Sequence, residues 1–442
     1  MTAREAAYRS LIRIEKEGRY SNLETDVTLR AGELPENEGR LYTRLVYGTI
    51  ERKLTLDYIL APLCVGIPYP KLDLEVRVIL RLSAYQLLYA DRIPSSAAVN
   101  EGVNLCKRYR KSAASMVNAV LRRLCREKEQ IVFPEPEADP VLYLSTFYSV
   151  SPELCRLFLS DMGFAECVRM LEAVNAQAGV FTTLRVNTLK LSREEFCKRL
   201  EERGIPFEKT VLSPTGVRLK GNVTRLEELK EGLCFVQDEA SQLAVEALEA
   251  QSGQTVLDIC SCPGGKSFGA AISMENRGEL RSFDLHGNKL SLVREGAERL
   301  GISILQTEEA DGRVFLPQWE EKADRILCDL PCSGLGVLSK KPELRYKKEE
   351  EISKLPGIQR AILENACRYL KKGGRMVFST CTVLKRENEA LFEGFLRDHP
   401  DFEGGELHLP GVPETPAFVT LYPHIHRTDG FFISVLKKKE NA

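Results

Sequence analysis

The chain has 442 residues, of which 43% are hydrophobic and 28% charged, and its formal net charge is −1. It is too long for one hydrophobic core, which predicts two or three domains, and its charge excludes a uniformly basic nucleic-acid-binding protein. No apolar run approaches the roughly 18 residues of a membrane span. Thirteen cysteines, with no export signal in the charged amino terminus, predict free thiols and a cytoplasmic location.

Residues 1–133 are predicted to form an all-helical domain, because apolar residues recur at helical spacing and prolines separate the segments. From residue 104 to residue 126 there are seven basic side chains and no acidic one. We interpret them as a candidate RNA-phosphate-binding face; the alternative is a solvated helix face balanced by acidic residues elsewhere. The seven are Lys107, Arg108, Arg110, Lys111, Arg122, Arg123 and Arg126.

The next part of the chain begins with closely spaced prolines in Phe133–Pro140, a composition typical of a linker. Residues 141–235 predict a small α+β subdomain. Its predicted elements are a helix over 152–175, a strand over 182–187 and an amphipathic helix over 192–203.

Residues 236–442 alternate strand-like and helix-like segments, which predicts a C-terminal α/β Rossmann-like domain with a parallel sheet. Together the three parts predict a multidomain protein. The predicted strands are Thr255–Cys260, Glu279–Asp284, Ile302–Thr307, Arg325–Asp329, Arg375–Ser379 and Phe431–Leu436.

A glycine loop follows the first of these strands. It resembles a phosphate-binding P-loop but has Cys260 where that motif has its first glycine, and it also lacks the glycine pattern of dinucleotide-binding folds. S-adenosylmethionine fits better, because glycines allow close backbone approach and the helix start offers N–H groups to a carboxylate. The predicted loop residues are Cys260, Ser261, Cys262, Pro263, Gly264, Gly265 and Lys266.

Two aspartates extend this candidate donor site. Asp284 follows Gly264 by twenty residues at the end of the next strand, where a carboxylate can accept both ribose hydroxyls. Asp311, after the third strand, is placed to reach the adenine amine. The alternatives are a helix cap for Asp284 and a turn residue for Asp311.

Two further turns each place a cysteine after an apolar strand. Asp329-Leu-Pro-Cys332 follows one strand, and Ser-Thr-Cys381 follows another. Because the carboxyl ends of parallel strands line one crevice, we expect both thiols and the carboxylate to share a site. Methylation of cytosine carbon 5 needs a thiol that attacks carbon 6, a carboxylate that steadies the base, and a second group that helps the adduct collapse. Either thiol can be the nucleophile on these grounds.

The motifs 260–266, 329–334 and 379–384, with Gln237-Asp-Glu-Ala-Ser and Glu387-Asn-Glu, resemble those of RNA cytosine-C5 methyltransferases. The amino-terminal third resembles the RNA-binding antitermination factor NusB, notably at 98–103 and 117–122. This combination is typical of the bacterial Sun/Fmu (RsmB) group, which methylates a cytosine of 16S ribosomal RNA.

The resemblance implies a role for each candidate residue. Cys381 matches the nucleophile and Cys332 the second cysteine that helps release the product. Asp329 matches the carboxylate beside the base and is also counted with the donor site. We therefore expect a cytoplasmic monomer that uses S-adenosylmethionine and binds 16S rRNA, with no metal and no membrane partner. The competing functions are tRNA methylation, methylation of a protein or small molecule, and non-catalytic RNA binding in ribosome assembly.

Overall fold

A computed structural model describes residues 1–32, 34–177, 181–221, 223–412 and 417–441. The chain divides into two compact units. One contains Met1–Glu172 together with Leu338–Glu349, and the other contains Ala173–Val337 and Glu350–Ala442. Within the described residues no helix is both long and apolar enough to cross a lipid bilayer.

The first unit is helical, as predicted for residues 1–133, but it extends to Glu172. Most of α9, the helix predicted over 152–175 in the α+β subdomain, therefore falls in this unit. In α7 the residues Val117, Val120, Leu121 and Leu124 are buried at three- and four-residue spacing, so one face of this helix packs into the hydrophobic core. The helices that begin in this unit are α1 Ala3–Glu17, α2 Ser21–Arg30, α3 Glu36–Glu51, α4 Lys53–Leu60, α5 Leu74–Tyr89, α6 Ser95–Tyr109, α7 Ala114–Glu127, α8 Pro140–Tyr148 and α9 Pro152–Gln177.

The proline-rich stretch Phe133–Pro140 packs within this unit, although its composition is typical of a linker. The Phe133 ring stacks on Tyr58 at 5.7 Å and meets Phe147 edge-on at 5.0 Å. Asp139 caps α8 by accepting a hydrogen bond from the backbone N–H of Leu142. The aromatic contacts of Phe133 therefore outweigh the tendency of its prolines to form an extended tether.

The segment Leu338–Glu349 also packs in the helical unit, although its sequence neighbours belong to the other unit. The guanidinium of Arg345 is buried and donates to the carbonyl of Tyr148 at 2.9 Å. The hydroxyl of Tyr346 donates to the carbonyl of Ile50 at 2.5 Å. These bonds join two parts of the chain that lie about 200 to 300 residues apart in sequence.

The second unit begins with a small antiparallel sheet of order β2-β3-β1-β4, which confirms the predicted α+β subdomain. The predicted helix over 192–203 is α10, which begins at a capping box formed by Ser192 and Glu195. The elements are β1 Phe181–Val186, β2 Phe207–Lys209, β3 Gly216–Lys220, β4 Cys234–Val236, α10 Arg193–Glu202 and α11 Glu227–Lys230.

The larger sheet has the order β10-β12-β9-β8-β5-β6-β7, and β11 pairs with β12. Strands β5 to β9 are parallel and β12 is antiparallel to β9, which confirms the predicted α/β fold. The strands are β5 Thr255–Asp258, β6 Glu279–Asp284, β7 Leu305–Glu309, β8 Ala323–Asp329, β9 Leu370–Thr380, β10 Phe402–Gly404, β11 Phe418–Leu421 and β12 Phe431–Lys438. The helices are α12 Glu239–Leu248, α13 Gly265–Ser273, α14 Leu290–Leu300, α15 Glu349–Ile352, α16 Leu355–Ala366, α17 Glu389–Asp398 and α18 Pro423–His426.

The strand order reverses at β5, which lies between β6 and β8. At such a switch point the loops after neighbouring strands diverge and leave a crevice at the carboxyl edge of the sheet. The predicted donor loop follows β5, and the two cysteine turns follow β8 and β9. The topology therefore directs the candidate residues to one edge.

Candidate active site

The two cysteine turns begin from neighbouring positions on adjacent strands. Asp329 ends β8 and pairs in parallel register with Ser379 of β9. The Ser379 hydroxyl donates to Oδ1 of Asp329 at 2.8 Å, and the N–H of Leu330 donates to the carbonyl of Ser379 at 2.9 Å. These bonds fix the start of each turn relative to the other.

The thiols of Cys332 and Cys381 are in contact, with their Sγ atoms 3.1 Å apart. The hydroxyl of Ser333 donates to Oγ1 of Thr382 at 2.7 Å, and the N–H of Gly336 donates to the carbonyl of Cys381 at 2.9 Å. Together with the bond from Leu330 to Ser379, these bonds join the two turns both before and after the cysteines. The two cysteines that the sequence assigns to one site meet there.

The contact between the thiols affects the protonation of Cys332. The hydrogen bond to Cys381, together with burial, raises the pKa of the Cys332 thiol well above its ordinary value. Two thiolates in contact would repel each other, so the pair can lose one proton much more easily than two. Cys332 therefore keeps its proton at neutral pH.

The carboxylate of Asp329 is held by a lysine from the donor loop. Nζ of Lys266 lies 2.6 Å from Oδ2 of Asp329 and 5.2 Å from the centre of the Phe431 ring. The Asp329 side chain remains 31% exposed, so it can still meet a ligand. Sequence motifs identified Lys266 as a loop residue close to the thiols, and the structure adds its ion pair with Asp329.

Glu387 is a buried acid whose motif the sequence identified without giving it a role. Its Oε2 accepts the N–H of Ser333 at 2.9 Å and the amide of Gln359 at 3.0 Å. The same Gln359 amide donates to the carbonyl of Pro331 at 3.0 Å. Burial raises the pKa of Glu387. Glu387 and Gln359 therefore hold the turn that carries Cys332, and only the Glu-Asn-Glu motif signalled this in the sequence.

The donor loop leads into the N-terminus of α13. Gly264 is its N-cap at φ 104°, and a Cβ there would lie 2.5 Å from the Phe268 ring, so glycine is required. Below the loop, Ser267 donates to Oδ2 of the buried Asp258 at 2.5 Å. Burial raises the pKa of Asp258 to about 7. Sequence analysis assigned no role to Asp258, which supports the loop from inside.

Asp284 is half-buried and faces the loop. Its Oδ2 accepts the N–H of Cys262 at 3.2 Å, and its Oδ1 accepts the N–H of His286 at 2.9 Å. The peptide bond that follows Cys262, to Pro263, is cis. Asp284 is therefore not a helix cap, since the N-cap of α14 is Lys289. Its partly exposed carboxylate lies at the end of β6, where a ribose is expected.

Asp311 is engaged by a neighbour. The guanidinium and backbone N–H of Arg313 both bond its carboxylate, which lowers the pKa of Asp311. This is the turn role given above as the alternative.

Cys260 packs in the hydrophobic core, and burial raises the pKa of its thiol well above the ordinary value. It contributes loop packing, because a protonated buried thiol is a weak ligand.

The residues of the loop fit an S-adenosyl ligand. Ser261 is 5% exposed, and its buried hydroxyl has no hydrogen-bond partner among the described residues. The free N–H groups at the start of α13 and the Asp284 carboxylate offer complementary polar groups for a carboxylate and a ribose. A buried polar atom without a partner is rare in a folded protein, so the loop is built to meet a polar ligand.

Comparison with known proteins gives the family. Residues 245–437 match the family described as 16S rRNA methyltransferase RsmB/F. The protein named probable ribosomal RNA small subunit methyltransferase B of Bacillus subtilis is 38% identical over 450 residues, which cover 99% of each chain. The chain belongs to the RsmB/F family. A protein of the same name from Synechocystis is 35% identical and covers 99% of this chain and all of its own.

The other parts of this RsmB/F chain also match known families. Residues 1–126 match the NusB family, and residues 154–224 match the ferredoxin-like domain of RsmF/B-like methyltransferases. The crystal structure of PH0851 covers 99% of both chains with a TM-score of 0.83 and 28% identity. The predicted helical, α+β and α/β parts are therefore confirmed as a NusB-like domain, a ferredoxin-like domain and a methyltransferase domain.

The basic stretch of the NusB-like part divides into paired and unpaired side chains. Arg108 bonds Glu5, Arg110 bonds Glu75, and Arg123 bonds Glu127. Among the described residues, the other four basic side chains have no carboxylate within salt-bridge distance. All four residues are exposed to solvent. These are Lys107, Lys111, Arg122 and Arg126. The stretch is therefore part solvated ion pairs and part available positive charge.

Proposed function

We propose that this RsmB/F chain methylates carbon 5 of a cytosine in 16S ribosomal RNA, with S-adenosylmethionine as donor and through a covalent cysteine–cytosine adduct. The contact between Cys332 and Cys381 beside Asp329 carries this proposal. A methyltransferase that acts on an amine or hydroxyl needs no thiol pair, whereas carbon 5 of cytosine becomes nucleophilic only after addition at carbon 6. Both relatives are named as probable ribosomal RNA small subunit methyltransferases, which supports the ribosomal substrate.

The attack is assigned to Cys381. Family resemblance gives Cys381 this role, and the raised pKa of Cys332 agrees with it, because a pair that loses one proton then carries its charge on Cys381. The Cys381 thiolate adds to carbon 6, and the electron pair of the carbon 5–carbon 6 bond becomes available at carbon 5. Asp329 accepts a hydrogen bond from the base, while Lys266 balances the charge of the carboxylate. The cytosine must leave its stack to reach these groups.

Release is assigned to Cys332. Once Cys381 is bonded to carbon, it no longer holds the charge that kept Cys332 protonated. Cys332 can then ionise and remove the proton from the methylated carbon 5. The electron pair of that bond restores the ring double bond, and the bond from carbon 6 to Cys381 breaks and returns a thiolate.

The donor site is assigned to residues 260–266 with Asp284 and Asp311. When bound, S-adenosylmethionine supplies an electrophilic methyl group. The α13 N-terminus and Ser261 would hold its polar end, and Asp284 its ribose. The Asp311 carboxylate can bind the adenine amine only if Arg313 moves away or if Arg313 and the adenine bind it together.

Bisulfite sequencing of 16S rRNA tests the proposal. We expect one cytosine to resist conversion in the parent strain and to convert when the gene is deleted. The intact gene should restore the protection, and a gene carrying Cys381→Ala should not. The transfer RNAs of the same strains are the internal control. A change confined to transfer RNA, or no change in either pool, would refute the assignment.

A further inference from the structure

Gln237 has a buried side-chain amide. The residue is 6% exposed, and neither Nε2 nor Oε1 of its side chain has a hydrogen-bond partner among the described residues. Its backbone is fully tied, because its N–H donates to the carbonyl of Thr183 and its carbonyl accepts the amide of Gln242. The backbone of Gln237 is thus held in place, whereas its side-chain amide is available to a ligand.

The amide of Gln237 is directed at the donor loop. A Cβ built on Gly265 would have Nε2 of Gln237 as its nearest neighbour, at 3.5 Å. Gly265 is the first residue of α13, where backbone N–H groups are free to bind an anion. The second orphaned polar group, Ser261 Oγ, lies in the same loop. Two independent buried groups therefore flank the start of this helix.

A partnerless buried amide destabilises a protein unless a ligand or water satisfies it. The side chain of Gln237 offers one acceptor oxygen and an NH₂ donor. An α-amino acid offers the complementary pair, an ammonium donor and a carboxylate acceptor. A ribose or an adenine ring next to a free helix N-terminus would leave the positive end of that helix without an anion.

We propose that Gln237 binds the α-amino-acid end of the methyl donor, with Oε1 accepting from the ammonium and Nε2 donating to the carboxylate. The inference rests on the donor site proposed above. It adds to that site a residue from outside the loop, because Gln237 lies twenty-three positions before Cys260, the first loop residue.

Isothermal titration of the full chain with two nucleosides tests this role. S-adenosylhomocysteine carries the amino-acid end, and 5′-methylthioadenosine lacks it. We expect Gln237→Leu, which is apolar and of similar size, to weaken S-adenosylhomocysteine binding roughly 10- to 100-fold, the range for hydrogen bonds to charged groups. Binding of 5′-methylthioadenosine should stay within about twofold, because it makes no contact with the amide.

Thermal unfolding without ligand separates this role from a structural one. Gln237→Leu removes an unsatisfied buried amide, so its midpoint should equal or exceed that of the wild type. Gln237→Met is the second variant and should behave alike. Asp284→Ala is the matched control and should weaken both nucleosides, since both carry the ribose.

Each remaining outcome overturns the inference. Unchanged S-adenosylhomocysteine binding in both Gln237 variants would mean that a water satisfies the amide. Equal weakening of both nucleosides would mean that Gln237 only shapes the loop. If the wild type binds neither nucleoside, the donor site itself is wrong, and the proposed function fails with it.

Discussion

The Sγ atoms of Cys332 and Cys381 lie 3.1 Å apart although 49 residues separate them in the sequence. The parallel pairing of β8 with β9 brings the two turns side by side. In the proposed mechanism this contact gives the two sulfurs different roles, because a shared proton leaves one of them charged and the other protonated.

The buried Asp258 makes the stability of the methyltransferase part depend on pH. Its pKa is raised from 3.8 to about 7, so between these values the native state holds a proton that the unfolded state has lost. Its contribution to stability is fully present below pH 3.8 and is lost as pH rises through about 7. The wild type should therefore lose about 4 kcal/mol of its free energy of unfolding between pH 4 and pH 8 through this group. Asp258→Asn should not show this loss, so its stability relative to the wild type should rise by the same amount.

Urea unfolding followed by tryptophan fluorescence measures this difference. Trp319 is the one tryptophan in the chain and is buried in the same unit as Asp258, so it reports on that unit alone. A constant difference between the two proteins across this pH range would show that Asp258 does not titrate there.

Asp284→Ala should weaken binding of S-adenosylhomocysteine by about 1.5–3 kcal/mol, the usual worth of hydrogen bonds to a charged group. Calorimetry with S-adenosylhomocysteine and with ATP checks this. The wild type should bind the former and not ATP, because the loop has Cys260 in place of the first P-loop glycine. Tight binding of ATP alone would contradict the donor assignment.

Replacing both Arg122 and Arg126 with glutamine should reduce the salt dependence of RNA binding. Each lost phosphate contact should lower the slope of log affinity against log salt by roughly 0.7 to 0.9. Arg108→Gln is the matched control, because its guanidinium is already paired with Glu5, 2.6 Å away. Binding of S-adenosylhomocysteine should be unchanged throughout. Equal slopes for the double variant and the wild type would identify this stretch as a solvated face.

Glu387→Ala should lower the thermal midpoint and slow product release, because it removes the acceptor of the Ser333 N–H and one of the two acceptors of the Gln359 amide. The expected loss of stability is about 1–3 kcal/mol. Glu387→Gln is the isosteric control and keeps an oxygen that can accept both bonds. Differential scanning calorimetry and single-turnover kinetics measure the two effects. Equal behaviour of both variants would show that the acceptor oxygen is unimportant.

The sequence predicted the parts of the fold that depend on local pattern. The helical amino-terminal part and the α/β sheet follow from apolar periodicity, and the shared edge of the cysteine turns follows from parallel topology. One strand was displaced: Ile302 was predicted to begin a strand, yet β7 begins at Leu305. Ile302 instead packs back on α14 after the left-handed Gly301, which is how an apolar residue often closes a helix.

Other features depend on contacts between distant residues, which local pattern does not contain. The partner of Arg108 is Glu5, 103 residues away, so a stretch without acidic residues still proved to be partly neutralised. The packing of Leu338–Glu349 in the helical unit and the ion pair of Lys266 with Asp329 are of the same kind. The open amide of Gln237 could not be recognised before its surroundings were known.

The most direct test of the mechanism is covalent capture of RNA by the two cysteine variants. Each protein is incubated with 16S rRNA and S-adenosylmethionine and then separated on a denaturing gel. If Cys381 attacks and Cys332 releases, Cys332→Ala should accumulate a stable protein–RNA adduct, and Cys381→Ala should show neither adduct nor methylation. An adduct trapped in Cys381→Ala and absent from Cys332→Ala would contradict the account.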